Sequence, residues 1–356
     1  MSLDTWRVLR LGQFAVEEIA KRYGVEVSKA LNPLDPGDFV TIAVRLSAAL
    51  RSAAAGTEAV AIRSALETLD VDWPNLSAPA RDKIINAAKS EISALATTVP
   101  RLTTPVFEKS AISLVNRTRL ATVAQFQFGR QLRNEAPIDQ QTVENLPINQ
   151  TVYIKDQYGV RSDRLDQIAR DTVASGLERG LGRDDISGEL GTALKSSGVL
   201  RTGSYWNLIA SDFANKGRTT TQLNTFERAE IELYMFDAIM DEATSDICRL
   251  LHGQTFSVAK AAKRMNKALS MRDPENIKSV MPWVQTGTDG DGNQILYYDD
   301  GSGRTVVANV DRSGIGSSDR MGSYSNVMSR KQLEASGLPV PPRHGHCRST
   351  LTAVVS

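Results

Sequence analysis

Along the first third of the chain, apolar residues recur at three- and four-residue spacing, the period of a helix that buries one face. Asp4 fits the N-cap of a first amphipathic helix that carries Trp6, Leu9, Ile19 and Ala20 and stops at Gly24. Asp38 fits the cap of a second with Phe39, Ile42, Ala43, Leu46 and Leu50. Thr57 opens a third with Ile62, Leu66 and Leu69, and Ser77 a fourth with Ile84, Ala88, Ile92 and Leu95. Pro105 after Thr104 marks another start, because proline in the first helical position loses no hydrogen bond. A long helix then runs towards Arg133, and its Phe126 and Phe128 cannot both face one way. The pattern predicts a helical bundle.

Residues 137–150 are polar and turn-rich, with Pro147 and Asn149, and are the best candidate for a boundary or an arm. The domain division is expected near residue 160. Residues 164–181 read as a helix stopped by Gly182, and Asp184 or Asp185 can cap the next, which carries Ile186, Leu190 and Leu194 and ends at Gly198. Residues 204–228 form a longer helix presenting Trp206, Ile209, Ala210, Phe213 and Leu223. The run at 231–240 is short, partly alternating and rich in strand-favouring residues. After Pro282 the pattern becomes hairpin-like: Trp283 to Gln285, a turn at 289–293, Ile295 to Tyr298, a second turn at 299–303, then Thr305 to Val307. Residues 311–330 are Ser-, Gly-, Asp- and Arg-rich, the composition of a mobile loop or one ordered by a partner. The expectation is an α+β fold, predominantly helical, with an N-terminal helical bundle over residues 1–160 and a C-terminal mixed domain with a small antiparallel sheet over 161–356.

Composition adds limits. A chain of 356 residues, 41% apolar and 23% charged, has the balance of a globular protein. A net charge of +1 argues against a dedicated nucleic-acid binder, so any DNA contact would be local and non-specific. No stretch approaches the roughly 20 uncharged apolar residues of a membrane span, and Asp4 and Arg7 interrupt any signal-like start. A reducing cytoplasm is therefore expected, where metal binding or free thiols are favoured over a disulfide.

All three histidines and both cysteines fall in the last 110 residues, as Cys248, His252, His344, His346 and Cys347. The spacings are Cys-x-x-x-His in one segment and His-x-His-Cys-Arg in another, which is how a clamp between distant segments is written. In order, the signature runs from Asp241 through Thr244, Cys248, His252, Gly253 and Phe256, then from Leu338 through His344, His346, Cys347 and Arg348 to Leu351.

Both parts resemble the phage head morphogenesis family typified by the Mu F protein. That family's pattern is an Asp, a Thr, Cys-x-x-Cys, a Gly and an aromatic, closed near the C-terminus by proline, His-x-x-Cys-Arg and often another Cys. The resemblance covers roughly residues 165–353. It departs from the fullest pattern at Ser245 and Ser349, which stand where further cysteines would be. It implies a minor head protein of a tailed phage or prophage, in the virion at the capsid interior or portal vertex and in the host cytoplasm during assembly. The implied partners are the portal protein, a scaffold or major capsid protein, and packaged DNA, with the N-terminal half supplying the docking surfaces and no membrane involved.

Two readings of the C-terminal residues stand side by side. In the preferred one no cofactor is bound, and Asp241, Thr244, Cys248, Gly253, His344, Cys347 and Arg348 form a structural clasp. There Cys248 and Cys347 pack as small buried hydrophobes, while His344 and Arg348 hydrogen-bond carboxylates such as Asp241. In the other, zinc is held by Cys248, His344 and Cys347 with His252 or His346 as the fourth ligand. The corresponding alternative function is a metal-dependent nuclease or toxin-like effector built on the same domain. A Cys248–His252 nucleophile pair lacks a third orienting group. The Asp289 loop resembles a calcium loop but has Gln294 where glycine is required, so a turn is expected. Phosphate-loop, His-Glu-x-x-His and nucleophile-elbow motifs are absent, and Arg117, Arg119, Arg130 and Arg133 read as a solvated helix face.

Overall fold

The computed structural model describes residues 31–125, 139–199, 203–315 and 321–355. The first expected helix, with Asp4 to Gly24, lies outside them, as do Phe126, Phe128, Arg130 and Arg133. The described chain is α+β and mostly helical, with two small antiparallel sheets.

The helical part consists of α1 (Pro36–Leu69), α2 (Ala78–Ala124), α3 (Gln140–Glu178), α4 (Arg183–Ser196) and α5 (Gly203–Arg228). There follow β1 (Leu233–Asp237), α6 (Asp246–Leu251), β2 (Thr255–Ser257), α7 (Val258–Ser270) and α8 (Pro274–Val280). The chain continues as β3 (Val284–Thr288), β4 (Gln294–Asp299), β5 (Arg304–Arg312), β6 (Ser323–Ser325), α9 (Arg330–Ser336) and β7 (Thr350–Val354). One sheet has the order β2-β1-β7 and the other β3-β4-β5-β6.

The helices are fewer and longer than the caps suggested. Asp35, not Asp38, caps α1: its side chain accepts from the Asp38 N–H at 2.9 Å, with Pro36 in the first helical turn. Thr57 opens no new helix, because the alanine-rich run around it keeps α1 going and Gly56 faces open space. Ser77 does mark the start of α2. That helix then runs through Pro100 and Pro105, so Thr104–Pro105 is not a start. The hydroxyls of Thr103 and Thr104 donate to the carbonyls of Val99 and Pro100 at 2.9 and 2.8 Å, supplying hydrogen bonds in the turn between the two prolines.

Residues 140–150 are neither arm nor boundary; they are the first turns of α3, which carries Pro147 in its interior. Of their polar side chains, Thr142, Asn149 and Gln150 are buried. Asn149 is buried and donates to the Ala268 carbonyl of α7 at 3.1 Å. Residue 160 also falls inside α3, and the hydrophobic cores divide further on, within α5. One core gathers Leu50, Val99, Phe107, Ile154, Trp206 and Phe213 from the bundle, and the other Phe226, Tyr234, Phe236, Leu251, Val307 and Leu351. The second core takes up α5 at Leu223, after the first has left it at Ala214.

Gly182 is the N-cap of α4, with Asp184 and Asp185 in its first turn, and Gly198 follows its end at φ +79°. The hairpin strands form as expected, with Thr286 opposite Leu296 and Tyr298 opposite Thr305. The 311–330 stretch is anchored on both sides of residues 316–320. Ser313 and Tyr324 donate to the two oxygens of Asp246 at 2.9 and 2.8 Å. Among the described residues α1 alone matches a membrane span in length and composition, with a mean hydropathy of 1.2 over its window. Phe39, Leu46 and Leu50 of this helix lie in the first core.

A buried carboxylate ties three helices of the bundle. Glu58 of α1 accepts from the Tyr158 hydroxyl of α3 and, at 3.2 Å, from Trp206 Nε1 of α5, with Arg161 at 3.9 Å. Removing it leaves buried donors without an acceptor. Glu58→Ala is expected to lower stability by about 3 kcal/mol in urea unfolding, whereas the exposed Glu67→Ala on the same helix is expected to stay within about 0.5 kcal/mol.

Candidate metal centre

The centre is built where α5, α6 and the segment before β7 meet. Strand β1 pairs with β7 from Leu233 opposite Val354 to Asp237 opposite Thr350, and with β2 through Tyr234 opposite Phe256. Gly253 makes the turn out of α6 at φ +77°, and its N–H donates to the Phe236 carbonyl at 2.9 Å. Residues 343–349 then run along α5. Asn215 Nδ2 donates to the Cys347 carbonyl at 2.7 Å, and Arg218 to the carbonyls of Arg348 at 3.1 Å and Ser349 at 2.6 Å. Gln222 donates to the Leu351 carbonyl at 2.7 Å. A Cβ at Gly345 would stand 2.2 Å from Leu208 Cδ1, so a larger residue there requires that side chain to move.

This packing brings Cys248 of α6 to His344 and Cys347. The Cys248 and Cys347 sulfurs are 3.9 Å apart, and His344 Nε2 is 3.4 Å from the Cys248 sulfur. All three ligand atoms lie within 4.8 Å of one another, and both cysteines are free and buried. A tetrahedral zinc with Zn–S of about 2.3 Å and Zn–N of about 2.0 Å requires S···S of about 3.8 Å and S···N of about 3.5 Å. The two measured edges match, and two thiols with an imidazole are the donor set zinc prefers.

The surroundings favour anionic sulfur. The hydrogen bond from Cys248 and the neighbouring His344 hold the Cys347 thiol well below its ordinary range, while the same bond and burial push Cys248 up. Arg218 and Arg343 are both buried, are bonded to backbone carbonyls rather than carboxylates, and feel the Cys347 charge as a favourable neighbour. Burial lowers each guanidinium to about 10, so both remain charged at neutral pH. Ser245 and Ser349, at the two positions where the resemblance has cysteine, both approach Cys248, and Ser245 Oγ is buried without a hydrogen-bond partner. The residues thus fit a metal held by Cys248, His344 and Cys347, with His346 on the rim of the same small hollow.

Several expected partners sit elsewhere. His252 is not in the group: α6 ends at Leu251, and the His252 ring turns back so that Nδ1 accepts from the Ala238 N–H at 3.1 Å, 3.7 Å from Asp237. As the C-cap, His252 still donates its N–H to the Cys248 carbonyl at 3.0 Å, but its ring is taken by the Ala238 N–H rather than by the thiols. His344 meets sulfur rather than a carboxylate. Arg348 does pair with Asp241, at 2.5 Å, and Thr244 Oγ1 accepts from the Asp241 N–H at 2.9 Å. Asn215, Arg218, Gln222 and Arg343 were not singled out from the sequence; a polar stripe at helical spacing reads equally as a solvated face. No family model, curated protein or solved structure matches the chain.

Titration of the reduced protein with Co²⁺ is expected to give a thiolate charge-transfer band that is lost in Cys248→Ala and Cys347→Ala, weakened in His344→Ala and unchanged in His252→Ala. A second expectation concerns Asp241, whose carboxyl is held below its usual range first by the Arg348 hydrogen bond. A depressed carboxylate stabilises the fold above the unfolded value and stops doing so as pH falls through the folded one. Arg348→Ala should therefore cost up to about 1 kcal/mol at neutral pH for this partly exposed pair. The difference should vanish below the depressed value, as read by urea unfolding at pH 7 and in acid.

Proposed function

We propose that this chain is a minor head protein of a tailed phage or prophage, associated with the portal during procapsid assembly and retained in the virion. The observation that carries the reading is the meeting of the two modules on which the family resemblance rests. They are separated by some hundred residues, yet Cys248 and Cys347 come within 3.9 Å and β7 pairs with β1. A resemblance written in two distant segments is supported when those segments form one spatial unit.

The role proposed is structural. The hollow above Cys248, His344 and His346 is about 10 Å³, at most the room of a single water. A nuclease reading needs an opening able to seat a phosphodiester beside the metal. Zinc bound at the centre would act as a cross-link, fixing the C-terminal segment to α6 and adding its binding energy to folding. The helical bundle supplies the surfaces for portal, scaffold or capsid contacts. With a net charge of +1, contact with packaged DNA would be local.

Cutting the chain at residue 160 would sever α3 and open the first core, so the test uses the full chain. A tagged copy expressed with the phage or prophage genes is expected to co-sediment with procapsids and to co-purify with portal in few copies per particle. Deleting the gene should yield defective heads. Normal heads without the protein, together with its absence from purified particles, would remove the reading.

A further inference from the structure

Between α1 and α2, with α5 beneath, lies an open groove of about 560 Å³. Ile42 and Ala49 of α1 form one wall and Val106 of α2 the other, all accessible to solvent, over the buried Leu46, Leu114 and Phe213. Contiguous apolar side chains left accessible on two neighbouring helices mark a docking face rather than a finished core. A groove between two helices with this lining suits the apolar stripe of a third.

Two observations single out its occupant. The described chain begins at this groove, where Leu31 is part of the lining. Its course there is fixed: the Pro33 carbonyl accepts from Arg218 Nη1 of α5 at 3.2 Å, and the Asn32 N–H donates to Asp38 Oδ2 of α1 at 2.8 Å. Residues 1–30 therefore join the described chain at the groove's edge. Within them Trp6, Leu9, Val16, Ile19, Ala20 and Tyr23 fall at helical spacing on one stripe. On a helix, Leu9 to Tyr23 would span about 21 Å, against about 18 Å for the α2 wall from Pro105 to Arg117. Gly24 to Ala30 can reach about 23 Å, enough to lay the stripe along the groove in either direction.

We propose that the groove is a docking site for the chain's own residues 4–23, which seat their apolar stripe between α1 and α2. Charge does not select the occupant: Arg45, Lys109 and Arg117 stand around the groove, while the segment carries Glu17 and Glu18 as well as Arg10 and Lys21. Tethering does. A segment joined at Leu31 is held near the groove at an effective concentration on the order of millimolar, which a free ligand or a partner helix must outcompete. A partner presenting a similar stripe gains the site only by displacing the segment, so the groove is a docking surface with a built-in competitor. This inference is independent of the head-protein reading, since neither the thiols nor the family resemblance enters it.

The test uses the full chain with Gln13, a polar position within the stripe, replaced by the photocrosslinker p-benzoylphenylalanine. Irradiation is expected to give a monomer-sized product whose cross-linked peptides come from residues 42–49 or 105–117. A second measurement titrates a fluorescein-labelled peptide of residues 4–23. It is expected to bind saturably to the full-length variant carrying Leu9→Asp, Val16→Asp and Ile19→Asp together. Binding to the unsubstituted chain is expected to be at least about tenfold weaker, because there the tethered copy holds the groove. Irradiation that labels neither wall, or that yields only a dimer-sized product, overturns the proposal. So does a peptide that binds neither form, or that binds both alike.

Discussion

Three polar side chains on one face of α5 hold the end of the chain in place. Asn215, Arg218 and Gln222, at spacings of three and four residues, donate to the carbonyls of Cys347, of Arg348 and Ser349, and of Leu351. Between His344 and Thr350 the backbone has no strand partner, so these buried carbonyls would otherwise lack donors. Each bond is worth about 1 kcal/mol, and each carbonyl left buried and unpaired costs more than that. Donors fixed on a helix also set register. A slip of one residue would misalign every carbonyl and turn β7 over against β1.

The chemistry of the thiol centre depends on that register. It places Cys347 between Arg218 and Arg343, two cations without carboxylate partners, and presents it to Cys248 and His344. Moving two unpaired guanidinium groups out of water is expensive, and anionic sulfur nearby offsets part of that cost. The Cys347 thiol, lowered first by its hydrogen bond with Cys248 and then by His344, therefore also helps the fold to tolerate its buried arginines. Arg348 on the other side of the segment reaches Asp241, so residues 343–348 are anchored on two faces, by charge in each case.

Much of this was legible in the sequence, for identifiable reasons. Ser77 and Gly198 marked real boundaries because an extended residue before a proline in the first turn and a left-handed glycine both act locally. The hairpins after Pro282 were visible because alternation and glycine turns are local too. Pro105 and Pro147 misled because a proline inside a helix is tolerated where nearby hydroxyls and tertiary packing compensate, and the sequence does not show that packing. At the centre, Cys248, His344 and Cys347 could be named in advance. Assigning His252 required knowing that its ring is taken by the Ala238 N–H of the segment after β1. Nothing in the chain distinguishes the buried stripe of α5 from a solvated one, since the difference lies in residues more than a hundred positions away.

The C-terminal segment also runs between the thiol centre and a cleft at the junction of the bundle and the C-terminal domain. Pro342 lines the cleft, His344 and Cys347 form the centre, and Gly345 between them sits against Leu208, with Trp283 within 3.9 Å of where its Cβ would be. Residues 343–346 form a bend and a turn between the two places, and close packing on α5 leaves little slack to absorb a shift at either end. The short connection follows from the same constraint as the clasp: a segment pinned by its carbonyls to one helix face carries side chains to both sides of that helix's junction with the sheets.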